Sequence, residues 1–360
     1  MKIIDWYILK RYLVTFFVML LLFVPIGIMV DVSEKVDKMI AKEVPFDEIV
    51  NYYIDFTFYF ASLLFPIFLF LSIIWFTSKL ANNTEIVAIL SSGISFTRFL
   101  RPYLMGASII AVITFIMGMF IVPSASKGYN DFRYEYLKKN KNVRKTTNLY
   151  NQVSDNDFIY LSHFEPLNKI GRDFTLEHFE GNELKYKISA SSIKWMPKDS
   201  VYRLRSYVKR TIGEMGEEDR FVEERKIDTL FSFNLDDLTP VSYIAETKNL
   251  FELNKFIEKE RKKGSPNINR YLVVKYKRWG LPVSAFILTI IAVAVSSKKR
   301  RGGMGINLAL GISLAFIYIF FDKIFGTMAE QSGFPPLLAV SIPNIMFGLL
   351  AVYLLKNAKR

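Results

Sequence analysis

The sequence of 360 residues contains no cysteine and only two histidines, His163 and His178. The absence of cysteine excludes a disulfide framework, a thiolate metal site and a cysteine nucleophile. Two histidines are too few for a multi-histidine metal site. The sequence also has no GxxxxGK[ST] loop, no HExxH motif and no spacing typical of a Ser-His-Asp triad. We therefore expect a chain that has no cofactor, does not bind ATP through a phosphate-binding loop and is not an enzyme.

Long hydrophobic runs are the main feature of the sequence, in which 51% of the residues are hydrophobic and 22% are charged. Each of six stretches without a charged side chain is close to the length that crosses a hydrocarbon core of about 30 Å as a helix. They are residues 13–30, 56–76, 103–122, 280–297, 305–321 and 334–355. The sequence predicts six transmembrane helices in two groups of three.

The positive charge is concentrated in four short segments on one side of these spans, residues 1–12, 77–102, 296–304 and 356–360. They hold 13 of the 47 Lys and Arg residues but only two of the 34 Asp and Glu residues. This distribution follows the positive-inside rule and predicts cytoplasmic N- and C-termini. Because the charge is divided among short loops, no basic face suited to nucleic acid is expected. Charged residues follow the first span where a signal peptide would have its cleavage site, so this helix is predicted to remain.

The polar region 124–270 has the features of a β-domain on the outer side. Segments 157–162, 172–180, 184–188 and 202–207 are rich in β-branched and aromatic residues or alternate with period two, and turn residues separate them. After Pro240, Leu250, Leu253 and Ile257 have helical spacing. The predicted fold is an α-helical polytopic membrane protein with an inserted jelly-roll-like all-β domain. Its predicted parts are residues 1–123, 124–270 and 271–360, and both histidines are expected to be partly buried structural residues.

The loop after the second span, residues 82–92, predicts a short amphipathic helix on the cytoplasmic side. Asn82 is the expected N-cap, with Glu85 as its capping-box partner. Ile86, Ile89 and Leu90 form one apolar stripe along the helix. The stripe fits either a helix resting on lipid or a plug that docks into a groove of a partner.

Two charged segments at the outer ends of spans are further candidates. Lys35, Lys38 and Lys42 have the spacing of one helix face, and lipid phosphates would explain cations on the outer side. Snorkelling to ordinary headgroups or pairing with nearby acids is the alternative. Asp322 and Lys323, at the end of the fifth span, are either functional or only mark that end. No span carries an ionisable residue near its centre, which disfavours an ion-coupled transporter.

Several segments resemble the LptF/LptG (YjgP/YjgQ) permeases of the lipopolysaccharide-export ABC transporter. The similarity covers most of the chain, and its most specific part is the loop around Glu85. The matching segments are residues 5–12, 83–93 and 122–123, Pro282, and residues 300–303, 334–336 and 343–344.

The resemblance implies a permease of the bacterial inner membrane, with six helices and a periplasmic jelly roll. Two such permeases would pair above a cytoplasmic ABC ATPase dimer, with a periplasmic bridge protein and a single-span membrane component as further partners. Lipopolysaccharide would enter between the first and fifth helices. Glu85, Ile86, Ile89 and Leu90 would then lie on the coupling helix, and Lys38 is the best match to lysines implicated in phosphate contact. An ATPase-independent lipid flippase and a membrane scaffold that displays a β-domain remain alternatives.

Overall fold

The computed structural model describes residues 3–137, 147–165, 168–197, 199–213, 219–231, 233, 235, 243–265, 267–298 and 303–358. In the first part of the chain, the helices are α1 (Ile3–Ala41), α2 (Phe46–Asn82), α3 (Glu85–Ser91), α4 (Phe96–Ile116) and α5 (Val122–Phe132). Two π-helical turns, Met117–Ile121 and Arg133–Leu137, follow α4 and α5. After the strands come α6 (Ile244–Thr247), α7 (Leu250–Lys262), α8 (Ile268–Ser296), α9 (Gly303–Gln331) and α10 (Pro336–Ala358).

Six of the helical stretches in the described residues are long and apolar enough to cross a membrane, which confirms the predicted spans. The third of them is continuous from Phe96 to Leu137 and includes α4, α5 and both π-helical turns. The helices continue beyond the uncharged runs because their polar ends lie where backbone and side chains meet water. Residues 299–302, which carry most of the basic loop before α9, lie outside the described residues.

The core of the helical part is built by large side chains that are withdrawn from solvent. Tyr12, Tyr103, Leu69, Ile73 and Leu288 are each fully buried. At Gly106 the backbone of α4 approaches α1 so closely that an added Cβ would lie 2.3 Å from the Tyr12 ring. The contact between α1 and α4 therefore depends on the absence of a side chain at this position.

The region between α5 and α6 forms one antiparallel sheet in which each strand pairs with its neighbour in sequence. The strands are β1 (Thr147–Gln152), β2 (Asp157–Glu165), β3 (Ile170–Glu180), β4 (Glu183–Met196), β5 (Val201–Thr211) and β6 (Arg220–Thr229). The turn between β3 and β4 places Gly181 at a φ of 64°, a conformation that glycine adopts without steric cost. Six membrane-length helices with an inserted β-domain confirm the predicted fold class.

The sheet buries one apolar cluster, in which Leu161, Phe164, Ile193 and Leu204 are fully buried. The outermost strand β6 is exposed along most of its length. It pairs with β5 through the backbone. In addition, Arg203 on β5 donates two hydrogen bonds of 2.8 Å to the Asp228 carboxylate on β6. These hydrogen bonds lower the pKa of Asp228.

The two histidines differ in exposure. His178 is partly buried, as predicted; its Nδ1 lies 2.7 Å from an Asp157 carboxylate oxygen, and its ring stacks on Tyr186. His163 is exposed, so the expectation of partial burial was wrong for this residue. His163 has the same parity as the buried Leu161, but the alternation of β2 breaks before the end of the strand, where Phe164 is the buried residue.

The chain divides into two compact units. The helical unit comprises Met1–Lys138, Ala245–Leu253 and Asn269–Arg360, and the sheet unit comprises Lys139–Ile244 and Asn254–Ile268. The predicted helix after Pro240 is present as α7, in which Leu253 and Ile257 are buried. The candidate site residues named from the sequence all lie in the helical unit.

Candidate coupling and lipid sites

The short helix α3 begins at Glu85 and ends at Ser91, within the predicted range. Its N-cap is Thr84, which has a left-handed φ of 60°. The prediction of Asn82 as the N-cap was wrong, because α2 continues through Asn82. Local propensity favours Asn at a helix start. Here, however, the preceding helix α2 extends three residues past Lys79 and ends at Asn82.

The apolar stripe of α3 faces the helical unit itself. Ile86 is 2% exposed, and Ile89 and Leu90 are partly buried against the same core cluster. The opposite face is open to solvent and carries Val87, which is 55% exposed, and Ala88. The stripe thus seats α3 on the bundle, while Val87 and Ala88 are the apolar residues of α3 that face outward.

The carboxylate of Glu85 links three parts of the chain. It accepts a hydrogen bond of 3.3 Å from the Tyr7 hydroxyl on α1 and one of 3.1 Å from the Asn83 amide. Sequence reasoning missed Tyr7, because it lies 78 residues from Glu85. The functional role of Glu85, Ile86, Ile89 and Leu90 stays a prediction.

The outer end of α1 carries a buried carboxylate. Asp31 is 8% exposed; its carboxylate accepts a hydrogen bond of 2.9 Å from the Tyr52 hydroxyl on α2 and forms an ion pair with Lys35. The Lys35 ammonium also donates to the Tyr52 hydroxyl, at 3.1 Å. The charge of Lys35 is therefore compensated inside the protein.

The other two predicted lysines have different surroundings. Lys42 donates a hydrogen bond of 3.2 Å to the backbone carbonyl of Glu135. Lys38 is exposed, and no residue in the described part of the chain lies within hydrogen-bonding or ion-pairing distance of its ammonium. Of the three, Lys38 is the cation best placed to meet an external anion, and its role in phosphate contact stays a prediction.

Asp322 belongs to an ion pair between the fourth and fifth spans. Its carboxylate lies 2.7 Å from the Lys277 ammonium, and both side chains line a cavity of about 270 Å³ with Lys323 at its edge. The guanidinium of Arg278, also in this cavity, donates to the backbone carbonyls of Lys248 and Ala245 at 2.7 and 3.1 Å. These hydrogen bonds satisfy one carbonyl within the single turn of α6 and one on the residue that follows it.

Glu246, on α6, also lines this cavity, and burial raises the pKa of its carboxyl group. Within the described residues, no group of three or more His, Asp or Glu side chains could hold a metal ion.

Comparisons with known proteins agree with these features. Residues 6–357 match the family model described as lipopolysaccharide export system permease LptF/LptG. The chain is 21% identical over 294 residues to the lipopolysaccharide export system permease protein LptG of Escherichia coli strain K12, a match that covers 81% of this chain and 80% of the relative. The LptG protein of E. coli O6:H1 matches with the same identity and coverage. The chain belongs to the LptF/LptG family of lipopolysaccharide export permeases.

Proposed function

We propose that this chain is a transmembrane subunit that extracts lipopolysaccharide from the inner membrane and passes it to a periplasmic bridge protein. ATP hydrolysis on a separate cytoplasmic ABC ATPase dimer drives the movement. The observation that carries the proposal is the uneven burial of the six spans. In the most apolar stretch of each span, 11% of the residues are buried in the first span, 22% in the fifth, 28% in the sixth and 33% in the third, against 56% in the second and fourth.

The exposed faces of α1 and α9 are suited to a lipid and a partner. Leu21 and Met29 on α1 and Phe320 on α9 are 73, 70 and 61% exposed. Such apolar faces contact acyl chains or a second six-span permease without desolvating polar groups. Lys38 lies at the outer end of α1, where its ammonium would meet a lipid phosphate as a charge-assisted hydrogen-bond donor.

The short helix α3 supplies the connection to the ATPase. Val87 and Ala88 face outward to fill a groove on the partner, and Glu85 adds one carboxylate at the edge of this surface. Ile86, Ile89 and Leu90 pack against the core of the helical unit, so a displacement of α3 is transmitted to the transmembrane helices. Close-packed interiors transmit such displacement because they have little free volume.

The orientation follows from the charge distribution. Lys10, Arg11, Lys79 and Arg98 all lie on the side that carries α3. The positive-inside rule supports an orientation with α3 and both termini in the cytoplasm and the strands in the periplasm. This arrangement exposes α3 to the ATPase and brings the sheet unit within reach of a periplasmic bridge protein and a single-span component.

The complex reconstituted in proteoliposomes tests the proposal. Lipopolysaccharide delivered to the bridge protein is measured with ATP, without ATP and with an ion gradient alone. We expect ATP-dependent delivery, which Val87→Arg abolishes by placing a charge in the docking surface. Delivery driven by the gradient without an ATPase would contradict the proposal and support a flippase, and no delivery under any condition would support a scaffold.

A further inference from the structure

We propose that α3 drives α1 through two polar side-chain links, which join the first turns of α1 to the first residue of α3 and to the first turn of α4, the helix that follows α3. The first link joins Tyr7 to Glu85, and the second joins Asp5 to Arg98. The inference rests on the proposed function, because it requires α3 to receive movement from an ATPase. It assigns Asp5, Tyr7 and Arg98 as positioning residues, which transmit the movement to the exposed span α1.

The second link is the stronger one. The two terminal nitrogens of the Arg98 guanidinium donate to the two carboxylate oxygens of Asp5 at 2.7 and 2.6 Å. Asp5 is 6% exposed. A two-pronged Arg–carboxylate pair fixes both distance and orientation, which a single hydrogen bond does not. Arg98 lies in the first turn of α4, seven residues after the last residue of α3, so the pair ties α1 to the start of the helix that follows α3.

The first link involves α3 itself. The Tyr7 hydroxyl donates to Glu85, the first residue of α3. Tyr7 and Asp5 are two positions apart near the start of α1, so one short stretch of α1 contacts the first residue of α3 and the first turn of α4. A shift of α3 therefore reaches α1 directly through Tyr7, and through Arg98 when the start of α4 moves with α3.

The backbone connections of α3 are suited to such movement. Thr84 before the helix has a φ of 60°, and Gly93 after it has a φ of 85°. Both are left-handed conformations of the kind that ends a helix: Thr84 follows the C-cap of α2, and Gly93 follows the C-cap of α3. The helical hydrogen bonds therefore do not run on from α2 into α3 or from α3 into α4, and the side-chain links add connections between this segment and α1.

Apolar packing between α3 and the start of α1 is incomplete. A cavity of about 40 Å³ is lined by Ile89 of α3, Ile8 of α1 and Phe99 of α4, and by Asp5 and Arg98 themselves. The space is large enough to hold a water molecule. Apolar packing therefore does not fill the contact between α1, α3 and the start of α4, and the Asp5–Arg98 pair borders the gap.

The inferred path ends at the proposed lipid site. α1 has 39 residues from Ile3 to Ala41, and at about 1.5 Å per residue it is on the order of 58 Å long. Asp5 and Tyr7 lie near its first turn, and Lys38 lies in its last. One continuous helix thus connects the links at α3 with the cation placed to meet a lipid phosphate.

The test uses the whole complex and measures lipopolysaccharide transferred per ATP hydrolysed. Asp5→Asn and Arg98→Gln are expected to keep the ATPase bound and hydrolysis within a factor of about two, while transfer per ATP falls about fivefold or more. Tyr7→Phe removes one hydrogen bond and is expected to lower the ratio about twofold. Arg101→Gln, an exposed cation three residues further along α4, is the matched control and should leave the ratio unchanged.

Three results would overturn the inference. One is an unchanged ratio in both Asp5→Asn and Arg98→Gln. The second is a parallel loss of hydrolysis, transfer and melting temperature, which would show that the pair only stabilises the fold. If either variant fails to accumulate, Arg98→Lys replaces it, because lysine keeps the charge but lacks the two-pronged guanidinium. This variant should lower the transfer per ATP about twofold at normal protein levels. An unchanged transfer per ATP in Arg98→Lys is the third result that would overturn the inference.

Failure of the inference and failure of the proposed function give different results. If Val87→Arg abolishes ATPase binding while the Asp5 and Arg98 variants transfer normally, only the links are wrong. If Val87→Arg leaves ATPase binding and transfer intact, then α3 is not the docking helix, and the coupling role of α3 and the links fail together while ATP-driven transfer stands.

Discussion

Tyr52 on α2 donates a 2.9 Å hydrogen bond to Asp31 on α1, and the same carboxylate forms an ion pair with Lys35. This relationship separates lysines that look equivalent in the sequence. Lys35 neutralises a buried acid of its own protein, whereas Lys38, one turn further along α1, is exposed to its surroundings. A lipid phosphate would therefore be recognised by Lys38 rather than by Lys35.

Replacing Lys38 with Glu is expected to reduce contact with lipopolysaccharide at least about tenfold, because a favourable charge-assisted hydrogen bond becomes a repulsion. The measurement is photo-crosslinking of lipid to a probe placed at the neighbouring exposed Ile40. Unchanged crosslinking in Lys38→Glu would favour simple snorkelling of the lysine to headgroups.

Lys35→Gln is the matched variant, and its main effect should be on stability. It leaves Asp31 as a buried charge without a cation, which is expected to cost about 3 kcal/mol of folding free energy. The melting temperature in detergent reports this loss. A stable Lys35→Gln protein with strongly reduced lipid crosslinking would reverse the roles assigned to the two lysines.

Adjacent residues of α3 are expected to give opposite phenotypes. Val87 is 55% exposed and Ile86 is 2% exposed. Val87→Arg should abolish co-purification of the ATPase with little change in melting temperature. Ile86→Ala should retain the partner but destabilise the chain by about 2 to 5 kcal/mol, since it leaves a cavity in the core. Loss of partner binding in Ile86→Ala at full stability would show that the stripe itself docks.

The contact between α1 and α4 should not tolerate a methyl group at Gly106. An added Cβ would lie 2.3 Å from the fully buried Tyr12 ring, whereas at Gly118 it would meet no atom within 4 Å. Gly106→Ala is expected to destabilise the helical unit by about 1 to 3 kcal/mol through overpacking. Thermal unfolding of Gly106→Ala and Gly118→Ala tests this difference, and equal stability of the two variants would contradict the close approach.

Acid should loosen the edge of the sheet. Hydrogen bonds from Arg203 lower the pKa of Asp228 in the folded protein, so the unfolded chain binds more protons in acid. The stabilisation is fully present above the unfolded pKa of about 3.9 and is lost as the pH falls through the folded value.

Hydrogen exchange of the β6 amides, corrected for intrinsic rates, should therefore accelerate below about pH 4. Asp228→Asn should show the faster exchange already at pH 7 and lose the acid dependence. Glu223→Gln changes an exposed acid on the same strand and serves as the control. Retained acid dependence in Asp228→Asn would assign the effect to other carboxylates.

Much of the fold could be predicted because its determinants are local. The spans follow from uncharged runs, and a bilayer requires backbone hydrogen bonds to be satisfied within each helix. The strands β2 to β5 contain the segments with alternating or β-branched residues. Strand β6 has no such pattern because it is exposed on both faces, and its pairing depends on β5 and on Arg203.

The site was predictable only in part, because its geometry depends on distant residues. The spacing of Ile86, Ile89 and Leu90 shows a stripe but not whether it faces the bundle or a partner. The contacts of Glu85 with Tyr7 and of Arg98 with Asp5 join segments 78 and 93 residues apart. No local propensity encodes such pairs; they follow from how α1 packs against α4.

Co-purification from native membranes in mild detergent, with mass spectrometry of proteins and lipids, tests the central claim most directly. If the chain is an ATPase-coupled permease subunit, the wild-type chain is expected to recover a P-loop ATPase, a second six-span permease and lipopolysaccharide. Val87→Arg is expected to lose the ATPase. A chain recovered alone with ordinary phospholipid would contradict its role as such a subunit.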